Sequence, residues 1–170
     1  MPFALLPAIR VETITQLRPQ DLTDRGIRLL MLDFDNTLVP YTTDIPTDRV
    51  LAWLEQMRNS PVMLCVVSNS KRPRVQEFCR KHGLACITHA RKPGTQGIRR
   101  CMEEYGVKPG ECALAGDQIY TDTLGANRAG ITSILVDAIH DHTIWLKLRH
   151  IAELPFRMAA EKRRIYHEES

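Results

Sequence analysis

The sequence predicts an α/β protein of three layers, α/β/α, built on a mainly parallel five-stranded sheet. Three observations carry that prediction. Short apolar runs recur at 29–32, 62–67, 84–87, 112–115 and 131–136, several of them continuous, as strands are when both faces are covered. Segments with helical spacing fall between them, at about 47–59, 73–82, 94–105 and 121–129, and strands alternating with helices indicate parallel crossovers. The last three of these segments end at Gly83, Gly106 and Gly130, where helices commonly stop.

Taken in order, the first strand is Leu29-Leu30-Met31-Leu32, and it runs into Asp33-Phe34-Asp35-Asn36-Thr37. The first helix places Val50, Leu51, Leu54 and Met57 on one stripe behind Thr47 or Asp48 as N-cap. Val62 to Val67 leads to Ser68-Asn69-Ser70, and the fourth-strand segment 112–115 leads to Gly116-Asp117 and on to Asp122. Between those two strands lie the 84–87 run and Arg91-Lys92-Pro93-Gly94. In parallel sheets ligands bind beyond the carboxyl ends of the strands, near the point where strand order reverses. Asp33, Ser68 and Asp117 all fall at such ends, so residues far apart in sequence are expected to meet in one cleft.

A length of 170 residues suits one domain spanning the chain, with its core at about 25–140 and an extension at either end. The five cysteines are odd in number and lack C-x-x-C spacing; they read as thiols of a reducing compartment, not as disulfides or a zinc site. The longest apolar stretches fall short of the roughly 18–20 residues of a spanning helix, and no secretory signal is visible at the start. A cytoplasmic protein is the expectation. The net charge of +3 permits an anionic partner without requiring one.

Asp33 and Asp35 alternate on what would be an extended segment, so their side chains would point oppositely if the strand continued. The chain is therefore expected to turn at Phe34-Asp35, with the strand ending at Asp33. Each motif also has a plainer reading. Asp, Asn and Thr favour strand-to-loop turns, Ser-Asn-Ser could start a helix, and Asp122 could open one as a favourable charge.

All four motifs in this order resemble the haloacid dehalogenase (HAD) superfamily of phosphatases and, within it, the YqeG-type group of subclass IIIA. The resemblance covers about residues 5–150 and rests on Asp-Asn-Thr-Leu-Val, Ser-Asn-Ser, Lys-Pro-Gly and Gly-Asp-Gln-x-x-Thr-Asp. It implies a Rossmann-like HAD fold and a phosphomonoester substrate. Asp33 would be the nucleophile that forms an aspartyl-phosphate, and Asp35 the general acid and then base. Ser68, Asn69 and Lys92 would bind the phosphoryl group. The implied cofactor is magnesium, Mg2+, on the Asp33 carboxylate, the Asp35 carbonyl and Asp117, with Asp122 binding directly or through water.

Only Leu38 to Pro46 separates the first motif from the next helix, and only Thr88 to Arg91 separates Ile87 from Lys92. Neither gap holds an inserted cap, so a capless, open site is expected. An open site favours a substrate that supplies its own bulk, or cover from a second subunit in a homodimer. From Thr143 to His167 the chain has six Lys or Arg against two Glu, with Trp145, Leu148, Ile151 and Phe156 among them. That mixture suits peripheral contact with an anionic membrane, at its inner face, while the plainer reading packs both ends on the sheet's edge or in a dimer.

YqeG-type proteins are similar to the mitochondrial and plastid phosphatases that convert phosphatidylglycerophosphate to phosphatidylglycerol, which implies a phospholipid substrate. A soluble sugar phosphate or nucleotide is the enzymatic alternative, and a non-catalytic binding module the other. The basic residues match no recognised nucleic-acid motif. His89 and Arg91 flank the lysine as candidate substrate contacts or solvated loop residues. His140-Asp141-His142 reads as surface more readily than as a metal pair.

Overall fold

The computed structural model describes residues 4–139 and 144–165, the side chains of 144–150 excepted. In chain order the strands and helices are β1 (Ile9–Val11), α1 (Pro19–Thr23), β2 (Leu29–Leu32), α2 (Asp48–Arg58), β3 (Met63–Val67), α3 (Pro73–Lys81), β4 (Ala85–Ile87), α4 (Gln96–Tyr105), β5 (Cys112–Gly116), α5 (Leu124–Ala129), β6 (Thr132–Val136) and α6 (Ile144–Ala160). The strands form one sheet in the order β1-β6-β5-β2-β3-β4, and every pairing is parallel.

The sheet therefore has six strands, not five. The added strand, β1, is three residues long and follows Pro7, so the sequence offered no run long enough to read. Its Ile9 and Val11 are buried on one face, Arg10 turns to the other and pairs with Asp137 and Glu161, and the strand pairs along the outer edge of β6.

Alternation along the strands builds two cores. Leu30 and Leu32 face one layer, where Val50, Trp53, Leu54 and Met57 of α2 and Val75 and Phe78 of α3 pack. Leu29 and Met31 face the other, with Ile98, Cys101 and Met102 of α4 and Ala126 of α5. This is why the strand runs are continuous rather than alternating: both faces are covered. Each fully buried large aliphatic side chain contributes about 1.5–3 kcal/mol. Thr47 is the N-cap of α2, its hydroxyl accepting the Val50 N–H at 3.3 Å. Trp53 ties the N-terminal segment down by donating to the Leu17 carbonyl at 2.7 Å.

In this order β2 lies between β5 and β3, with Leu32 level with Ala115 on one side and Val66 on the other. The residues that follow these strands, Asp33, Asp117 and Ser68, accordingly emerge side by side. Strand order reverses between β2 and β5, the place where parallel sheets open a crevice. No helix among the described residues is long and apolar enough to cross a membrane.

Candidate active site

Asp33 leaves the sheet at the end of β2 with its N–H still donating to the Ala115 carbonyl at 2.8 Å. The expected turn follows. Phe34 is fully buried against the Phe78 ring at 5.1 Å, and Asn36 adopts the left-handed region at φ 59°, a conformation that asparagine tolerates better than most residues. The Asn36 side chain accepts the Tyr41 N–H at 3.1 Å and fixes the loop beyond. Asp33 and Asp35 are thus separated: Asp33 faces the cleft, whereas the Asp35 carboxylate pairs with Arg74 on the first turn of α3.

Lys92 is buried and bridges two carboxylates, its Nζ lying 2.8 Å from Asp33 Oδ1 and 2.7 Å from Asp122 Oδ1. Asn69 sets its backbone. The amide of that residue donates to the Lys92 carbonyl at 2.8 Å and its oxygen accepts the Lys92 N–H at 2.7 Å, so both ends of the side chain hold the lysine loop. Ser68 emerges from β3, its hydroxyl accepting the Ser70 N–H at 3.0 Å. The Ser68 carbonyl accepts from Ala90 at 3.0 Å, joining the two loops. Ser-Asn-Ser does not cap α3, since Arg72 holds that position.

Past β5 the chain makes a wide turn in which the Asp122 and Thr123 N–H groups both donate to the Gln118 carbonyl, at 2.9 and 3.3 Å. Such π-type turns cluster at functional sites. The turn brings the Asp122 carboxylate back against Gly116, where any Cβ would overlap it. Glycine is required there by space. Asp117 is fully buried, and neither of its carboxylate oxygens has a hydrogen-bond partner.

The electrostatics follow from this crowding. Burial pushes Asp33 up to about 6, and the neighbouring Asp122 adds to the effect while Lys92 opposes it. Burial, then Asp33 and Asp122, raise Asp117 well above the ordinary carboxylate range, with Arg157 as the opposing charge. Burial disfavours the charged form of Lys92, but Asp122 and Asp33 outweigh it and hold the ammonium more firmly than usual.

Ligand oxygens of Asp33, Asp117 and Asp122 lie within 4.8 Å of one another. Three clustered carboxylates, one with two orphaned buried oxygens, suit a divalent cation with oxygen ligands. Asp35 lies outside that cluster by its carboxylate. His89 and Arg91 are exposed, in left-handed conformations at φ 55° and 58°. The His140-Asp141-His142 segment lies outside the described residues.

Sequence reasoning missed Arg74, Glu153 and Arg157. Arg74 carried a signal, because a cation in the first turn of a helix opposes the helix dipole and needs a specific partner. Glu153 and Arg157 look like an ordinary i, i+4 surface pair.

A parallel sheet that gathers buried aspartates and a lysine at its carboxyl edge is the arrangement expected of a HAD-type hydrolase, and known proteins give the same class. A family model described as HAD-hydrolase-like matches residues 89–142. Probable phosphatase YqeG of Bacillus subtilis is 35% identical over 131 residues, covering 77% of this chain and 76% of that protein. The glyceraldehyde 3-phosphate phosphatase of Pyrococcus furiosus is 21% identical over 133 residues, covering 73% of this chain and 50% of that protein. Among solved structures, the cobalt-bound deoxy-D-mannose-octulosonate 8-phosphate phosphatase of Haemophilus influenzae shares the fold with a TM-score of 0.53 at 13% identity, over 82% of this chain and 92% of that one. A HAD subfamily IIIA hydrolase from Legionella pneumophila does so at 0.50 and 12% identity, over 74% and 71%. The chain belongs to the HAD superfamily, in its YqeG-like group, and is a phosphatase of that family.

Proposed function

We propose that the protein is a magnesium-dependent phosphomonoester hydrolase that works through Asp33 and acts on phosphatidylglycerophosphate. The observation that carries the chemistry is the Lys92 ammonium held between Asp33 and Asp122 beside the bare carboxylate of Asp117. An Asp33 oxygen attacks phosphorus and the bond to the ester oxygen breaks. The departing alkoxide takes a proton from Asp35. Water then attacks the aspartyl-phosphate, giving its proton to the Asp35 carboxylate, and phosphate leaves with Asp33 regenerated. Lys92 and Ser68 hold the phosphoryl oxygens, and Asn69 acts by fixing the Lys92 backbone. Asp33, Asp117 and the Asp35 carbonyl would hold Mg2+, which would supply charge compensation between nucleophile and phosphate. Asp122 Oδ2 accepts the Gln118 N–H at 3.2 Å, whereas Oδ1 pairs with Lys92 as an ion and is left without a hydrogen bond, so Asp122 can meet the cation directly or through water.

The lipid substrate draws its support from the surroundings of the cleft. Only loops separate β2 from α2 and β4 from α4, so no inserted cap covers the site from either segment. Lys71, Arg72 and Arg91 are exposed there, and none pairs with a carboxylate among the described residues. They suit the second, diester phosphate of such a lipid. Tyr41 and Ile45 are exposed beside them, and α6 exposes Ile151, Leu154 and Met158 at helical spacing. Those surfaces fit peripheral contact with an anionic membrane from the cytoplasmic side. A soluble ester is the second reading, because the Pyrococcus and Haemophilus relatives carry soluble phosphate esters in their names.

Phosphate release from phosphatidylglycerophosphate in mixed micelles, set against a panel of soluble monoesters at fixed Mg2+, decides between them. Lipid selectivity supports the proposal. Preference for a soluble ester, with no flotation on anionic vesicles, removes the lipid and keeps the hydrolase.

A further inference from the structure

A polar network outside the cleft ties α6 to the loop that carries Asp117. Glu153 of α6 is fully buried, and its carboxylate accepts the Ile119 N–H at 3.0 Å. One turn further along the helix, Arg157 donates to the Asp117 carbonyl at 2.5 Å and to Glu153 at 3.2 Å. Arg157 also meets Asp137 at 3.4 Å, and Asp137 in turn pairs with Arg10 of β1 at 3.1 Å. Tyr120 adds a hydrogen bond to the Ala152 carbonyl at 3.2 Å.

A buried carboxylate and a largely buried guanidinium are costly unless each finds partners. Here the partners are backbone groups of the metal loop. The two side chains bracket Gln118, one holding the residue before it and one the residue after. Asp117 makes this matter, because its carboxylate has no hydrogen bond of its own to orient it. Its direction into the cluster is set through its backbone.

We propose that Glu153 and Arg157 are positioning residues for Asp117, holding its backbone so that the carboxylate is presented to the cation. α6 then belongs to the metal site as well as to the sheet's edge. The inference rests on Asp117 being a cation ligand. Groups beyond the direct ligands typically alter metal affinity by about 10- to 100-fold when removed.

The test uses the full chain and Mg2+ alone, read by the rise in melting temperature as Mg2+ is titrated. Arg157→Ala is expected to raise the half-saturating Mg2+ concentration on the order of 10-fold, and Glu153→Gln, which keeps volume and an acceptor, to raise it less. Turnover in both variants is expected to recover at high Mg2+, which a merely structural loss would not allow. Arg163→Ala, which removes a bond from the far end of this segment to the Pro7 carbonyl at 2.6 Å, should keep the wild-type midpoint. Wild-type midpoints in Arg157→Ala and Glu153→Gln overturn the inference, as does an equal weakening by Arg163→Ala. Should Arg157→Ala fail to fold, Glu153→Gln and Arg157→Lys carry the same titration. Asp117→Asn separates the two levels: a full Mg2+ response in that variant removes Asp117 as ligand, whereas its loss beside unshifted Glu153 and Arg157 variants removes only their positioning role.

Discussion

Arg74 and Asp35 form an ion pair across the mouth of the cleft, joining the start of α3 to the residue proposed as proton donor. The same guanidinium pairs with Asp44 at 2.7 Å, donates to the Tyr41 carbonyl at 3.3 Å, and lies over the Phe34 ring at 5.2 Å. It therefore fixes the whole turn from Phe34 to Asp44.

That relationship predicts a dependence on the leaving group. Protonation matters most for alkoxides and least for a good leaving group such as nitrophenolate. Arg74→Ala leaves Asp35 without a fixed place, so hydrolysis of an alkyl ester should fall on the order of 10-fold more than that of the nitrophenyl ester. Equal losses on both esters would mean that Arg74 only supports the fold.

Removing the nucleophile should separate chemistry from folding. In Asp33→Asn the amide replaces a carboxylate of the same shape, and Lys92 keeps its 2.7 Å contact with Asp122. Turnover should drop to background, with the melting temperature within a few degrees of wild type, a spread set by about 1 kcal/mol at this chain length. Steady-state assays and thermal melts of the purified variant check this.

The pH dependence of the metal-free protein has a definite sign. Asp33 is raised from 3.8 to about 6 and Asp117 is raised as well, so the folded state binds these protons more tightly than the unfolded one. Their contribution to stability is greatest below about pH 4 and is lost as pH rises through about 6 and beyond. A cation offsets the repulsion, so Mg2+ should raise the melting temperature more at pH 8 than at pH 5. Asp117→Asn should itself raise the metal-free melting temperature at pH 8 and abolish most of the Mg2+ response. A Mg2+ effect equal at both pH values would contradict this.

Gly116 tests the close approach behind the cluster. An alanine there overlaps the Asp122 carboxylate, which must shift and loosen its grip on Lys92. Gly116→Ala should cost about 1–3 kcal/mol in denaturant unfolding, the usual range for overpacking, and should weaken the Mg2+ response as well.

The cleft was legible because its residues follow strands that are buried on both faces. Leu29 to Leu32 and Cys112 to Gly116 announce themselves as apolar runs, and the polar residues after them can only lie at the sheet's carboxyl edge. β1 was not legible: three residues behind a proline carry too little periodicity. The helix of α6 was obscured by Pro155 within it and by Glu153 and Arg157, whose charges suggest a solvated face although both point inward. Asn69, matched to phosphate binding by resemblance, also places both ends of its amide on the Lys92 backbone. Partners so distant in sequence are set by topology, which no local pattern reports.

The most direct test of the central claim is to quench the enzyme with acid during turnover at saturating Mg2+ and locate any covalent phosphoryl group by mass spectrometry. The account predicts one phosphoryl group on the peptide containing Asp33, on that carboxylate, and none in Asp33→Asn. A phosphoryl group on another residue, or turnover that persists in Asp33→Asn, would contradict it.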